Sequence, residues 1–395
     1  MGNNGENVMQ KSILSSLAVC ALLVAVPAQA ADEYAVGLSG AITGPVAGTY
    51  APAVEALRLY IDKVNAAGGV NGHPIHLIVQ DDQGQPSMGA TNAKKLLGQD
   101  NLLLLLNTSL SSTYAPMIAE SQRAGVPLLF AASVCPKEVY PPAQPTLFCT
   151  TAFASQFDSR ATLAFVKEKS GTSINLGLAA MSIPLSRGEI DYAEGLAGEM
   201  GMKAVDKEIV PPAAPDYTPF ATKLQQASPD WVYSWAPWVT EVKTLEALRK
   251  LGWEGNYIGW GHIETEGELA RLKDGKFYAI GANALFSDRL PVQQDITATA
   301  TAANSTYAAN LMTEGWIAGM VVEAALKQAG WPATPEKVLA AMSHLKVDTK
   351  GLRGGPLEWT ADNHFRTRQY YRVYRWNPAS NGIEVVKDWT AYEVH

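Results

Sequence analysis

The stretch Asn101-Leu-Leu-Leu-Leu-Leu-Asn-Thr-Ser-Leu-Ser-Ser-Thr113 decides the fold predicted for this chain. Its apolar run is short and ends in small polar residues, which is typical of a strand buried on both faces of a parallel sheet. The segment from Ser112 to Ala124 has helical composition, with Ser111 or Ser112 as its N-cap. A strand that runs into a helix exposes backbone N–H groups at the edge where α/β sheets bind ligands, anions above all. Taken alone, an ordinary capped turn is the simpler interpretation.

Residues 1–30 have the pattern of a secretory signal peptide. Lys11 is followed by a short apolar run and an A-x-A cleavage site at 28–30. Cys20 raises the alternative of a lipoprotein, but it follows Val19, where such signals need a small residue. We therefore expect cleavage at the end of this segment and a soluble protein in the periplasm.

The remaining chain, 31–395, is long enough for two domains with substantial cores. The net charge of −7 argues against nucleic acid as a partner. Strand and helix patterns alternate for most of the chain, and 370–376 alternates with period two, which predicts a late β-hairpin. The other predicted strands are Tyr34–Leu38, Ile75–Gln80, Leu102–Leu106, Pro127–Phe130, Ile174–Ala179, Trp231–Trp235, Tyr257–Trp260, Tyr278–Ala284 and Pro356–Trp359. The other predicted helices are Ala53–Ala67, Ser87–Leu97, Gln156–Lys169, Glu189–Met200, Phe220–Ala227, Glu241–Leu251, Met312–Ala329 and Pro335–His344.

Two cysteines follow the signal segment, Cys135 and Cys149. In an oxidising compartment a disulfide is the expected pairing, and it would close a Pro-rich loop. Loop-entropy reasoning assigns such a bridge about 3 kcal/mol. Two independent buried thiols are the alternative.

No catalytic motif is found in the chain, which has no H-E-x-x-H pair, P-loop or G-x-S-x-G sequence. His73 and His76 lack an obvious carboxylate pair beside them, so surface imidazoles are a better interpretation than a metal site. Asp81 and Asp82 are adjacent in a strand and point to opposite faces, so a solvated, capped strand end is favoured over an acid pair. We predict a protein that is not an enzyme and needs no cofactor or metal.

Three tryptophans, Trp235, Trp238 and Trp260, lie at or just past the carboxyl ends of two predicted strands. Packing in the core is the usual role of such a residue. An apolar, stacking-competent pocket wall is the functional alternative, and both remain open.

Several segments, in order, resemble one known family. The segment 66–82, with Ala-Ala-Gly-Gly-Val-Asn-Gly-His-Pro-Ile-His-Leu and its final Asp-Asp, resembles the leucine/isoleucine/valine-binding family, the type I periplasmic solute-binding proteins of ABC importers. Residues 39–45 resemble its first binding loop, 124–127 with 131–133 its fourth-strand segment, and 351–359 its late G-P-L strand. Each motif is weak alone, but their order and spacing are specific and cover nearly the whole chain after the signal.

The resemblance implies a fold of two doubly wound α/β lobes joined by three crossovers, with the ligand in the cleft and closure by hinge motion. On this basis we expect residues 31–152 with 285–348 in one lobe, and 153–284 with 349–395 in the other. The partners implied are a small-molecule ligand and, transiently, an inner-membrane ABC permease. We expect a monomer.

In the family, an amino-acid carboxylate is held by the loop after the third strand and the segment after the fourth, and the first loop also reaches the ligand. The corresponding residues here are Thr49, Tyr50, Leu110, Ser111, Ala131 and Ser133. A backbone N–H needs no side chain, so Leu110 can still donate. Ser133 keeps a hydroxyl where the family often has threonine.

The second lobe departs from the amino-acid pattern. Where amino-acid binders hold the ammonium with an acid, this chain has Gly261 followed by His262. Two tyrosines that usually face the ligand become Arg187 and Pro237, the latter beside Trp238. A cleft that loses an anion and gains a guanidinium suits a carboxylate better than an ammonium. The tryptophans, Trp260 included, suit an apolar or aromatic body.

We therefore predict a periplasmic receptor for a small organic acid, an aromatic or hydrophobic carboxylate. The helix N-terminus after Leu106 and Arg187 from the opposite lobe should compete for its anion. An amino-acid receptor of the same family is the alternative, with Glu264 or Glu266 supplying the acid. An exported α/β enzyme is the alternative from another class, and the lack of an assembled nucleophile, base or metal cluster argues against it. A sensor ectodomain is disfavoured because no spanning helix follows the domain.

Overall fold

The computed structural model describes residues 33–99, 101–132, 134–211, 214–262 and 264–394. The predicted signal peptide, with its Cys20, lies outside the described residues, and so does the predicted site residue Ser133.

The leucine run forms the central strand of a parallel sheet. This first sheet has the order β2-β1-β3-β4-β5, and every residue of β3 is buried, as predicted. The strands are β1 (Tyr34–Gly40), β2 (Ile75–Asp81), β3 (Leu102–Thr108), β4 (Leu128–Phe130) and β5 (Leu147–Cys149). Parallel pairing brings all their carboxyl ends to one edge.

A second sheet has seven strands in the order β14-β13-β10-β9-β8-β6-β7. Its members, with the small ribbon β11–β12, are β6 (Asn175–Met181), β7 (Lys203–Val210), β8 (Trp231–Ser234), β9 (Asn256–Trp260), β10 (Phe277–Gly281), β11 (Lys346–Val347), β12 (Leu357–Glu358), β13 (Arg368–Asn377) and β14 (Gly382–Glu393). The late hairpin β13–β14 adds antiparallel strands to a parallel sheet, which confirms the period-two prediction. The sequence missed the short strands β5 and β11, and it missed the edge strand β7 because the consecutive charged residues 206–208 interrupt its apolar pattern.

The helices pack on both sides of the sheets. They are α1 (Ala47–Ala66), α2 (Pro86–Leu97), α3 (Tyr114–Ala124), α4 (Phe157–Ser170), α5 (Pro184–Glu199), α6 (Thr218–Gln226), α7 (Trp238–Lys250), α8 (Thr265–Leu272), α9 (Pro291–Ala302), α10 (Thr313–Ala329) and α11 (Pro335–Met342). The sequence missed α8 and α9, and it placed the starts of α1, α5 and α7 several residues too late. None of the described helices is both long and apolar enough to cross a membrane.

Helices α1 and α10 cross closely because of a glycine. A Cβ atom on Gly315 would lie 1.9 Å from the carbonyl oxygen of Ala53, so only glycine permits this approach. The contact joins the late helices to the first sheet in one hydrophobic core.

The chain crosses between the two sheets three times, so the fold is that of two α/β lobes joined by three crossovers. Leu352, Leu357 and Trp359 pack in the core of the first sheet. The lobe limits stay a prediction. Because these three residues belong to the core of the first sheet, we infer that the last crossover follows Trp359 and not residue 348.

Cys135 and Cys149 form the predicted disulfide, with Cα atoms 5.7 Å apart. Both residues are fully buried beside β4 and β5. The alternative of two independent thiols is wrong.

Candidate functional site

Two adjacent carboxyl groups at the end of β2 hold the neighbouring loops. Asp82 is fully buried and accepts hydrogen bonds from the hydroxyls of Ser39 (2.8 Å) and Ser109 (2.6 Å). Burial raises the pKa of Asp82. Asp81 instead accepts from backbone amides of the loop after β1. The prediction of a solvated, capped strand end therefore fits Asp81 and is wrong for Asp82, whose side chain sits beneath the site.

Asn107 fixes the loop that follows β3. Its Nδ2 donates to the hydroxyl of Thr113 at 2.9 Å, and its Oδ1 accepts from the amide of Ser109 at 3.2 Å. The Thr113 hydroxyl donates in turn to the carbonyl of Leu110 at 2.8 Å. The amides of Leu110 and Ser111 open the turn into α3, where no preceding helical carbonyl is available to them. Because these hydrogen bonds fix the loop, the two amides form a site suited to an anion.

The start of α3 differs from the prediction. A 3₁₀ turn, Ser111–Thr113, precedes the helix, and no side-chain hydrogen bond caps either segment. The predicted capping role of Ser111 or Ser112 is therefore wrong. Ser111 is half-buried and Ser112 exposed, whereas Thr113 is buried.

Three further residues predicted for the first lobe have different surroundings. The amide of Ala131 donates to the carbonyl of Asn107 at 2.9 Å, so this N–H is engaged in the sheet and unavailable to a ligand. Thr49 and Tyr50 lie in the first turn of α1, Thr49 exposed and Tyr50 half-buried.

An aromatic cluster lines the carboxyl edge of the second sheet. The ring of Phe153 lies 5.3 Å from Trp260, 6.1 Å from Trp235 and 5.1 Å from His262, measured between centroids. Trp238 lies 5.5 Å from His262. Sequence reasoning missed Phe153, although an aromatic residue in the segment joining two lobes is a recognisable signal.

The three tryptophans divide between the two roles left open. Trp235 is core, because it is buried and its Nε1 donates to Asp158 Oδ2 at 3.0 Å. Trp260 is 1% exposed, yet among the described residues its Nε1 has no acceptor. Trp238 is half-buried at the start of α7, directly after Pro237. Trp238 fits the pocket-wall interpretation, whereas Trp260 packs in the core directly beneath it.

Beneath this cluster, Glu241 and His262 form a buried pair. Glu241 Oε1 accepts from the amides of Ala236 (3.1 Å) and Trp260 (3.2 Å). His262 Nε2 lies 3.0 Å from the carbonyl oxygen of Ala236 and 3.5 Å from Glu241 Oε2. Burial alone would lower the pKa of His262, but the Glu241 carboxylate raises it above its ordinary value. The negative charge of the Glu241 carboxylate thus largely balances the positive charge of the protonated His262 imidazole.

Gly261 is a position where no side chain fits. A Cβ atom there would lie 2.8 Å from the hydroxyl oxygen of Tyr374 and 3.1 Å from the Cα atom of Gly281. The absence of an acid at this position therefore has a steric cause.

Glu264 is the nearest acid that follows Gly261 in the chain. Burial raises its pKa, and its Oε2 has no hydrogen-bond partner within the described chain. Burial and the charge of Glu264 also raise the pKa of Tyr50, so these residues of opposite lobes lie within electrostatic range. Glu266 accepts from the amides of Phe286 (2.6 Å) and Ser287 (2.9 Å) and is structural.

Arg187 lies in the first turn of α5, and its side chain is exposed. Helix α5 passes beside the turn Ser111–Thr113, and its Leu185 packs against the core of the first sheet. Arg187 therefore sits on the helix that meets the anion edge, although no carboxylate of the described chain pairs with it.

The two histidines weighed as metal ligands have other neighbours. His73 stacks on Trp331 at 3.9 Å, and His76 Nδ1 lies 2.7 Å from Glu33 Oε1. The described residues contain no group of three or more acidic, histidine or cysteine side chains that could hold a metal ion.

Comparison with known proteins agrees with this architecture. The chain is 22% identical over 364 residues to the leucine-, isoleucine-, valine-, threonine- and alanine-binding protein of Pseudomonas aeruginosa, covering 90% of this chain and 93% of the relative. A branched-chain amino acid ABC transporter protein of Thermus thermophilus with bound valine has a TM-score of 0.78 at 18% identity, covering 91% and 96% of the two chains.

A solute-binding protein of an ABC transporter from Rhodopseudomonas palustris, in complex with 3,4-dihydroxybenzoic acid, has a TM-score of 0.76 at 18% identity, covering 92% and 98%. The family model described as periplasmic binding protein matches residues 33–382. The resemblance to leucine/isoleucine/valine-binding proteins is confirmed, and the chain belongs to the periplasmic binding protein family.

Proposed function

We propose that this substrate-binding protein captures a small carboxylate with an aromatic or hydrophobic body in the cleft between its lobes. Closure of the lobes then presents the loaded protein to an inner-membrane ABC permease. The observation that carries the proposal is the aromatic cluster of Phe153, Trp238, Trp260 and His262 at the ligand edge of the second sheet.

Several aromatic side chains of the cluster could contact the ring of a ligand at the same time. Offset and edge-to-face ring contacts contribute about 0.5–1.5 kcal/mol each beyond the area they bury. The free Nε1–H of Trp260 adds one donor inside this apolar wall. A flat ring with one or two polar substituents matches such a surface better than a compact aliphatic side chain does.

The opposite edge supplies the anion site. The amides of Leu110 and Ser111 are held in place by the hydrogen bonds of Asn107 and Thr113, so they need little reorganisation when a carboxylate binds. The solved protein of the same fold that holds 3,4-dihydroxybenzoic acid supports this choice of ligand class.

A second candidate ligand, an amino acid, is favoured by Glu264. Its unpartnered carboxyl oxygen could receive an ammonium group, as an acid does in amino-acid receptors. In the first proposal the same group, with its raised pKa, exchanges a hydrogen bond with a ring hydroxyl instead. The two candidates differ in whether the ligand carries a positive charge.

Calorimetric titration against benzoate, 3,4-dihydroxybenzoate, octanoate, leucine and valine separates the candidates. We expect an aromatic acid to bind most tightly, and Trp238→Ala to weaken it by about tenfold. Val239→Ala is the matched control, because Val239 is its exposed neighbour in the same helix turn. Leucine binding more tightly than any acid without an ammonium group would refute the proposal, and loss of that binding in Glu264→Gln would establish the second candidate.

A further inference from the structure

Two arginines are buried where the three crossovers meet. Arg353 is 5% exposed and Arg366 is 3% exposed. We propose that this hinge binds a small inorganic anion, chloride being the representative, between the guanidinium groups of Arg353 and Arg366. The site is distinct from the cleft and does not depend on which ligand the cleft holds.

The pair is tied to every crossover. Arg353 donates to the carbonyl of Thr150 at 3.1 Å, and Arg366 donates to the carbonyls of both Thr150 and Thr151 in the first crossover. Asn283, in the second crossover, donates to Glu314 Oε1 at 2.8 Å. Arg366 itself belongs to the third. A ligand held here would touch the segments that move when the lobes close.

The charges of this cluster do not balance. Glu314 forms a bidentate pair with Arg353, at 3.1 and 2.9 Å. Arg366 has a neutral partner, Gln369 Oε1 at 2.7 Å, and no carboxylate of the described chain forms an ion pair with it. Burial and the charge of Arg353 lower the pKa of Arg366 to about 9, which still leaves the guanidinium charged at neutral pH. One positive charge is therefore uncompensated.

Asp158 is the other carboxyl group that could balance the charge of Arg366, but hydrogen-bond donors already occupy its oxygen atoms. It accepts from the Tyr371 hydroxyl at 2.8 Å, from Trp235 at 3.0 Å and from the amide of Ala154 at 2.9 Å. Burial also raises its pKa well above the ordinary value, which disfavours its charged form. Asp158 is therefore a poor counter-ion for Arg366.

The geometry leaves both space and donors for an anion. Arg353 and Arg366 line a common cavity of about 10 Å³, room for a single small ion or water molecule, together with Gln369 and Tyr370. Within the described chain the Nε atoms of both arginines are buried without an acceptor. A water molecule could accept these two N–H bonds but could not neutralise the charge. A halide does both, because it accepts several N–H bonds and carries the missing negative charge.

Thermal unfolding of the mature protein in sodium chloride and in sodium gluconate, at equal ionic strength, tests the proposal. A specific site gives a saturable rise in melting temperature with chloride and none with the bulkier gluconate. Arg366→Met should lose this chloride-dependent shift. Arg368→Met is the matched control, since Arg368 lies two residues further along the chain, is exposed and is paired with Glu393, and it should keep the shift.

Crystals grown in sodium bromide provide a test that needs no variant. We expect an anomalous bromine peak within hydrogen-bond distance of both Nε atoms. Equal melting curves in the two salts, or crystals with no bromine peak at this position, would overturn the site. A shift that survives in Arg366→Met would equally place the anion elsewhere.

Discussion

At the scale of single residues, the cleft shows how one position changes what its neighbours can do. Gly261 has no room for a side chain, because Tyr374 and the backbone of Gly281 fill that space. The nearest acid that follows in the chain is Glu264, whose pKa is raised by burial. The ligand charge preferred by this site therefore depends on Glu264 and its neighbour His262 together.

Arg187 gives the prediction at this scale. Replacing Arg187 by Ala should weaken an acid ligand that reaches the second lobe by about ten- to a hundredfold, the range of a charge-assisted hydrogen bond of roughly 1.5–3 kcal/mol. Arg187→Lys should recover only part of the lost affinity, because lysine restores the positive charge but lacks the planar guanidinium group of arginine. Calorimetry measures both, with the exposed Arg58 replaced by Ala as the control. Unchanged affinity in Arg187→Ala would remove this residue from the site.

At the scale of elements, the start of α4 rests on a buried carboxyl group of α5. Glu189 is 2% exposed and accepts from the amides of Gln156 and Ser159 and from the Ser159 hydroxyl. Burial outweighs these hydrogen bonds and raises the pKa of Glu189 to about 7. Desolvation therefore decides the protonation state of this helix junction.

The free energy of unfolding should consequently fall as the pH rises and Glu189 loses its proton. The folded state keeps a proton on Glu189 that the unfolded chain releases near its ordinary pKa of 4.5, so the contribution of Glu189 to stability is greatest below that pH. It declines up to about pH 7, by about 3 kcal/mol in total. Denaturant unfolding at several pH values should show this slope reduced in Glu189→Gln and retained in Glu199→Gln, an exposed residue of the same helix. Equal slopes in wild type and Glu189→Gln would contradict the assignment.

The disulfide between Cys135 and Cys149 supports the edge formed by β4 and β5. It closes a loop with a sequence separation of 14, for which chain entropy predicts about 3 kcal/mol. The double replacement by Ala should lower the free energy of unfolding by this amount and abolish any further effect of reductant. Thiol titration of the unreduced, unfolded mature protein should find almost no free thiol. Two reactive thiols would show that the bridge does not form in the exported protein.

At the scale of the whole molecule, the proposed ligand site lies between the two lobes, so binding and closure should be coupled. Small-angle scattering should show a smaller radius of gyration when a bound acid is present than when it is absent. Gluconate, an acid without an apolar body, is the control and should leave the radius unchanged. An unchanged radius with a tightly bound ligand would show that this receptor binds without hinge closure.

The sequence by itself determined the α/β class, and the family resemblance implied the two lobes and their three crossovers. The leucine run, the alternation of strands and helices, the period-two ending and the cysteine pair are local patterns, and each follows from burial or chain connectivity within its own segment. The carboxyl edge of the first sheet and the tryptophans of the second were also predicted, because parallel strands bring their ends together wherever the chain returns.

Only the tertiary structure decided which side chains face the site. Phe153 joins the aromatic cluster because the first crossover brings its ring beside Trp260 and His262, and Gly261 is held between Tyr374 and Gly281. The arginine pair at the hinge unites residues more than two hundred positions from the carbonyls that they bind. Burial and charge balance depend on such distant neighbours, and no local pattern in a sequence records them.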